Sequence, residues 1–125
     1  MNSQTTILLV DDEEEFVTTL AERLEIRGFK AEAATSGKQA MEIIEKKSFD
    51  VAALDVKMPG MDGLQLMEKI KDRHPGLPVL LLTGYGAASE GEKGMSKGAY
   101  DYLMKPVDIE ELISKVHEAI ANKSS

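Results

Sequence analysis

The residues of this chain that could do chemistry stand where short apolar segments end. Asp11 and Asp12 follow one such segment, Asp55 ends a second, Thr83 ends a third, and Lys105 follows a fourth. Because the carboxyl ends of parallel strands meet at one edge of an open sheet, where ligands bind, we expect these groups to converge. Carboxylates crowded together there would raise each other's pKa values unless a cation bound between them. Oxygen ligands of this kind suit Mg²⁺, for which Mn²⁺ could substitute.

The segments that must position these groups alternate between two periodicities. Short apolar runs alternate with amphipathic helical patterns, five of each, which is typical of βαβ units and a parallel α/β sheet. The predicted strands cover residues 6–10, 29–34, 50–55, 78–83 and 100–104. The third and fourth helices are predicted at about 64–73 and 88–97, and the inward face of the first is predicted to carry Phe16, Val17, Leu20 and Leu24.

Local signals mark the beginnings of the helices. Ser36 and Gln39 form the pattern of a capping box for the second helix, and Asp108 begins a capping pattern for the fifth. The fourth helix contains Gly91 and Gly94, each of which is about 1 kcal/mol less favourable than alanine in a helix interior. We therefore expect the fourth helix to be short and mobile.

Length and composition bound the classes of function. The 125 residues predict a single domain, residues 1–125, with an ordered core at about 5–121. The net charge of −7 without a basic cluster opposes direct binding to nucleic acid. Without cysteine there is no disulfide and no thiolate metal site. No apolar stretch reaches the roughly 20 residues of a membrane span, and the N-terminus lacks a signal-peptide pattern; we expect no membrane insertion and a cytoplasmic location.

Four segments, in this order and at these spacings, give the chain a specific resemblance over essentially its whole length. They are Val10-Asp11-Asp12, Leu54–Gly63, Thr83-Gly84 and Gly98–Pro106. The chain resembles a receiver domain of the two-component response-regulator family. The resemblance implies a doubly wound, flavodoxin-like and CheY-like α/β fold with five parallel strands in the order 2-1-3-4-5. It also implies a phosphoacceptor switch rather than an enzyme, one that assists its own phosphorylation and dephosphorylation. Its partner would be a sensor histidine kinase or a histidine phosphotransfer protein.

The resemblance also assigns roles at the site. Asp55 would be the nucleophile that accepts the phosphoryl group as an acyl phosphate. Asp12 and Asp55 would bind Mg²⁺ directly, the backbone carbonyl of Lys57 would supply a further oxygen, and Asp11 would act through a metal-bound water. Lys105 would neutralise the phosphoryl oxygens on the other side, since phosphoryl transfer needs mainly positioning and charge compensation.

The same resemblance implies how phosphorylation would be read. The hydroxyl group of Thr83 would bind a phosphoryl oxygen, and the ring of Tyr102 would turn inward into the space that Thr83 leaves. The surface of helix 4, strand 5 and helix 5 would then change, and a phosphorylation-dependent dimer is a further expectation. Members of the family typically have the Lys105–Pro106 peptide in the cis form.

Two side chains near the site are predicted to set the lifetime of the phosphorylated form. Lys57 and Tyr85 stand two residues beyond Asp55 and Thr83, where each could reach the water that hydrolyses the acyl phosphate. Tyr85 is large enough to obstruct that water, and a charged lysine has no lone pair with which to orient it. We therefore predict that the phosphorylated form is longer-lived than it would be with a small or amide-bearing pair at these positions. The alternative is that the Lys57 ammonium stabilises the transition state and accelerates hydrolysis.

Each site residue has a simpler structural interpretation. Asp12 with Glu15 is itself a capping-box pattern, and Asp62-Gly63 is interpreted as turn chemistry only. Asp55 could simply begin a turn, Thr83 could be an ordinary β-branched strand residue, and Lys105 could be a solvated lysine. His74 and His117 belong to no metal pair or nucleophile pair and are assigned no chemistry.

Two other classes of function remain open from the sequence. One is a pseudo-receiver that signals by binding alone, which the intact set of site residues opposes. The other is a Mg²⁺-dependent phosphatase of small molecules that uses Asp55. Such an enzyme would usually have a second aspartate two residues later, where this chain has Lys57.

Overall fold

The computed structural model describes residues 4–84 and 88–122, the second range with side chains from residue 91 onward. Its centre is a sheet of five parallel strands in the order β2-β1-β3-β4-β5. The strands are β1 (Thr6–Val10), β2 (Lys30–Ala34), β3 (Val51–Asp55), β4 (Val79–Thr83) and β5 (Asp101–Met104). The predicted strands, the doubly wound fold and its strand order are confirmed.

Five helices cover the two faces of the sheet. They are α1 (Glu14–Ile26), α2 (Gly37–Lys46), α3 (Gly63–Arg73), α4 (Ala88–Ser96) and α5 (Ile109–Ala121). Side chains alternate along each strand, so Leu80 and Leu82 face the core formed with α1 and α5, whereas Val79 and Leu81 face the core formed with α2 and α3. No helix in the described ranges is both long and apolar enough to cross a membrane.

The caps of the helices agree only partly with the sequence patterns. Ser36 Oγ accepts from the backbone N–H of Gln39 at 3.1 Å, as predicted. The reciprocal half of that box is wrong, because Gln39 Oε1 accepts from the backbone N–H of Thr35. The interpretation of Asp62 as turn chemistry alone is also wrong. Asp62 caps α3 and closes a full capping box with Gln65, with bonds of 2.9 and 3.0 Å.

The caps of α1 and α5 differ from each other. The Asp12 capping box does not form, because the residue at the N-cap of α1 is Glu13, which makes no side-chain cap within the described chain. Asp12 is therefore left for another role. Asp108 caps α5 as predicted, accepting from the backbone N–H groups of Glu110 and Glu111.

The glycines of α4 have a packing role that helix propensity does not reveal. A Cβ atom on Gly91 would overlap the ring of Tyr102, and one on Gly94 would overlap the side chain of Leu81. Both glycines therefore let α4 lie close against β4 and β5. The short helix is confirmed, whereas its mobility stays a prediction.

Gly63, the first residue of α3, packs directly against the end of β3. Its N–H donates to the carbonyl of Val56 at 2.8 Å, and a Cβ atom there would overlap the backbone carbonyl of Asp55. We expect Gly63→Ala to lower the free energy of unfolding, measured by urea denaturation, by about 2 kcal/mol or more, because backbone atoms must move. Gly76→Ala is the control, since its Cβ would meet no described atom within 4 Å. Equal stability of the two variants would contradict this account.

Candidate phosphoacceptor and metal site

The polar groups singled out in the sequence meet at one edge of the sheet. Asp55 and Thr83 are the last residues of β3 and β4, and Asp11 and Lys105 directly follow β1 and β5. Backbone bonds continue the ladder beyond the strands, from Asp11 N–H to the Ala34 carbonyl at 3.1 Å and from Lys105 N–H to the Thr83 carbonyl at 2.7 Å. The groups are therefore fixed to the sheet rather than to free loops.

Three carboxylates form the centre of the site. Asp11, Asp12 and Asp55 each offer an oxygen, and these oxygens lie within 4.8 Å of one another. Asp11 is fully buried and Asp55 is 6 % exposed, while Asp12 faces solvent. An all-oxygen set with two buried carboxylates and one reachable from solvent fits a hard divalent cation such as Mg²⁺.

The surroundings of Asp55 disfavour its ionised form. Burial first, and then the charge of Asp11, raise its pKa to about 6, although Lys105 and a hydrogen bond from the backbone N–H of Lys57 act in the opposite direction. A carboxylate in this position is stabilised by any cation that binds beside it. The raised pKa therefore reflects the burial of Asp55 first and the neighbouring Asp11 carboxylate second.

The ammonium group of Lys105 lies beside Asp11 and Asp55. Its Nζ is 2.6 Å from Asp11 Oδ2, 3.4 Å from Glu13 Oε1 and 3.6 Å from Asp55 Oδ1. Burial lowers the pKa of Lys105, but the hydrogen bond and charge of Asp11 outweigh this and raise it. The ammonium group also lies 4.7 Å from the ring centre of Phe16, a cation–π contact. The lysine therefore stays charged and is held toward the carboxylates.

The Lys105–Pro106 peptide bond is cis, which confirms the geometry that the family resemblance implies. Lys105 N–H also donates to the strand β4 carbonyl described above. The loop after β5 is thereby tied to the end of β4.

Thr83 and Tyr102 occupy neighbouring places on the sheet. Thr83 is fully buried and its Oγ1 donates to Met104 Sδ at 3.0 Å, so the hydroxyl group is close to the site but not bonded to its carboxylates. Tyr102 is half-buried, pairs in register with Leu81, and rests against Gly91 of α4. The two residues of the predicted switch thus lie on adjacent strands, with their side chains on the same face of the sheet.

The two predicted lifetime residues cannot be placed together. Lys57 is exposed and lines a groove of about 450 Å³ with Val56, Met58, Pro59 and Asp62, next to the site. Tyr85 lies outside the described residues. The predicted carbonyl ligand of Lys57 stays a prediction.

Sequence reasoning missed three contacts of the site. The sequence pattern places Phe16 on the inward face of the first helix and gives no role to Glu13, yet both contact the ammonium group of Lys105. Met104 lies within a predicted strand, and its contact with Thr83 depends on the register of β4 against β5, which the sequence does not show. The two histidines lie elsewhere: His117 stacks on Phe29 at 5.8 Å, and His74 ends α3 beside Glu45.

Comparisons with known proteins agree with this geometry. The family model of the response regulator receiver domain matches residues 7–117. The chain is 36% identical over 119 residues to the transcriptional regulatory protein ZraR of Klebsiella oxytoca, covering 95% of this chain and 27% of ZraR. It is 39% identical over 110 residues to the response regulator protein FleR of Pseudomonas aeruginosa, covering 88% of this chain and 23% of FleR. The chain thus spans about a quarter of the length of these curated relatives.

Solved structures show the same relationship. A response regulator receiver domain protein from Clostridium thermocellum superposes with a TM-score of 0.90 at 33% identity, covering 96% of this chain and 97% of that one. NtrX from Brucella abortus superposes with a TM-score of 0.92 at 30% identity, covering 98% of this chain and 28% of NtrX. The acidic cluster and the lysine that follows β5 agree with the family match over residues 7–117. This chain therefore belongs to the response regulator receiver domains of two-component systems.

Proposed function

We propose that this receiver domain accepts a phosphoryl group on Asp55 from the phosphohistidine of a histidine kinase or a histidine phosphotransfer protein. The observation that supports the proposal is the position of Asp55, whose carboxylate lies within 4.8 Å of two further carboxylates and 3.6 Å from the Lys105 ammonium. Asp55 is nearly buried at the end of β3. A phosphoryl donor would therefore approach its carboxylate from that edge of the sheet.

The transfer would balance in one displacement. A carboxylate oxygen of Asp55 forms a bond to phosphorus, the phosphorus–nitrogen bond of the phosphohistidine breaks, and the histidine nitrogen leaves with the electron pair. Lys105 neutralises charge on the phosphoryl oxygens from its side of the site. Mg²⁺, held by Asp12 and Asp55 with the carbonyl of Lys57 and with Asp11 through a water, would supply the matching positive charge when bound; Mn²⁺ could take its place.

The phosphoryl group would then bias two conformations of the chain. Thr83 would exchange its contact with Met104 for a phosphoryl oxygen, and Tyr102 would turn inward. This agrees with a helix α4 that packs closely through Gly91 against the Tyr102 ring, because movement of either partner must move the other. The α4–β5–α5 surface would carry the signal to an effector, or to a second copy of the chain.

The output and location are part of the proposal. The curated relatives are longer regulators, so the effector would be a further domain or a separate protein. The net charge of −7 opposes direct contact with nucleic acid by this domain. We place the protein in the cytoplasm, on the basis of the family.

Intact-mass measurement with acetyl phosphate and Mg²⁺ tests the proposal. We expect one phosphoryl group per chain, mapped to Asp55 after reductive trapping of the acyl phosphate, and no gain when a chelator removes the metal. No gain under any condition would favour a pseudo-receiver that acts by binding alone. Turnover of a phosphomonoester would favour a phosphatase.

The lifetime of the phosphorylated form is a separate proposal. We infer that Lys57 and Tyr85 slow hydrolysis, because the aromatic ring obstructs the attacking water and the ammonium cannot accept a hydrogen bond from it. The double variant Lys57→Asn with Tyr85→Ala should lose the phosphoryl group faster than wild type, as followed by intact mass over time. Slower or unchanged decay would instead favour a Lys57 ammonium that stabilises the transition state of hydrolysis.

A further inference from the structure

The hydroxyl group of Thr83 is committed to a contact outside the acidic cluster. Thr83 is fully buried, and within the described part of the chain its side chain makes one hydrogen bond, to Met104 Sδ at 3.0 Å. The contact follows from the register of the sheet, because Thr83 on β4 and Met104 on β5 are directly paired. Met104 also immediately precedes Lys105, so it lies between two groups of the site.

The chemistry of this acceptor suits a bond that must later be exchanged. A buried hydroxyl group with no acceptor is strongly disfavoured, so Thr83 needs a partner when no phosphoryl group is present. A thioether sulfur is a weak acceptor, whereas a charged phosphoryl oxygen forms hydrogen bonds about twice as strong as neutral ones. Met104 therefore satisfies the hydroxyl group without holding it firmly.

We propose that Met104 is a positioning residue that sets how readily Thr83 turns from its resting contact to the phosphoryl group on Asp55. This role rests on the proposed phosphorylation of Asp55. Removing the sulfur raises the free energy of the resting conformation, in which Thr83 uses it, and leaves the phosphorylated conformation unaffected. The equilibrium between the resting and the phosphorylated conformation then shifts toward the phosphorylated one by the free energy that the resting conformation has lost in stability.

The test uses Met104→Leu, which nearly conserves volume and removes the acceptor. The probe is beryllofluoride, a non-covalent mimic of the phosphoryl group, bound in the presence of Mg²⁺. We expect Met104→Leu to bind it roughly 3- to 10-fold more tightly, the size of one buried hydrogen bond. Met67→Leu is the matched control, because Met67 is fully buried in the core on the same side of the sheet; its affinity should stay within about twofold of wild type.

A double-mutant cycle shows whether the effect passes through Thr83. In the Thr83→Val background there is no hydroxyl group to release, so Met104→Leu should then change the affinity little. An equal gain in beryllofluoride affinity in both backgrounds, or no gain in the wild-type background, would overturn the proposed role of Met104. Either result would leave the proposed phosphorylation of Asp55 standing. A wild-type protein that binds no beryllofluoride would overturn the phosphorylation of Asp55 and this role with it.

Discussion

Asp55→Asn is expected to abolish phosphoryl uptake and, in the absence of metal, to make the protein more stable than wild type at neutral pH. The first effect follows because an amide is not a usable nucleophile. The second follows because burial and Asp11 raise the pKa of Asp55 from 3.8 to about 6, so the folded chain holds a carboxylate that is better solvated when unfolded. Two pKa units correspond to at most about 3 kcal/mol. We expect about 1–2 kcal/mol, because the amide that replaces the carboxylate is itself a polar group whose burial has a cost.

The pH dependence gives this prediction its sign. Below about pH 4 Asp55 is protonated in both states and wild type carries no penalty. Between about pH 4 and 6 the unfolded chain releases its proton first, so wild type loses stability relative to the variant as pH rises. Above about pH 6 both states are ionised, and the difference stays constant at its largest value.

Urea denaturation with a chelator, from pH 4 to 8, measures the difference. Asp72→Asn is the control, because that carboxylate is exposed on α3 and its removal should change the free energy of unfolding by less than about 0.5 kcal/mol. Added Mg²⁺ should stabilise wild type more than Asp55→Asn, since a ligand of the folded state raises its stability. A variant that is less stable than wild type at every pH would contradict the account of the crowded carboxylates.

The fold could be predicted from the sequence because its strands are buried on both faces. The strands β3 and β4 are buried at every position, so each reads as a continuous apolar run of strand length. Their predicted ends differ from the observed ones by no more than one residue. The strand order came from the family resemblance, because periodicity does not show which strands are neighbours.

The contacts within the site were less accessible, because they depend on positions across the sheet. That polar groups at strand ends meet on one edge is a property of parallel sheets, so Asp55 and Lys105 could be predicted to converge. The bond from Thr83 to Met104 depends on the register of β4 against β5. The contact of Lys105 with Phe16 depends on where α1 lies over the sheet edge.

The glycines of α4 illustrate a general limit of local reasoning. Helix propensity predicts that Gly91 and Gly94 weaken the helix, and that effect is intrinsic to the backbone. In the folded chain the missing side chains also make room for Tyr102 and Leu81. A penalty in local structure is thus accompanied by a gain in tertiary packing, which only the position of the helix against β4 and β5 reveals.

Asp12→Ala is expected to weaken the binding of Mg²⁺ at least about 10-fold. Both oxygens of Asp11 already accept a hydrogen bond, one from the Glu13 backbone N–H at 2.9 Å and one from Lys105 Nζ at 2.6 Å. Asp12 and Asp55 are the carboxylates that we propose to bind the cation directly, and Asp12 is the one that faces solvent. Removing Asp12 would remove one of these two carboxylate ligands. A tenfold loss of affinity corresponds to only about 1.4 kcal/mol.

Calorimetric titration with Mg²⁺ at constant ionic strength measures this loss, and a matched variant separates ligation from net charge. Glu14→Ala removes the same charge from an exposed residue of the first turn of α1, outside the acidic cluster. Because solvent and salt screen an exposed charge, we expect its effect on affinity to stay below about threefold. Equal weakening of Mg²⁺ binding in Asp12→Ala and Glu14→Ala would contradict direct binding by Asp12. It would mean that the overall negative charge at the start of α1 attracts the cation. A much larger loss in Asp12→Ala would instead identify its carboxylate as a ligand, because only a directly bound oxygen is replaced by water when the side chain is removed.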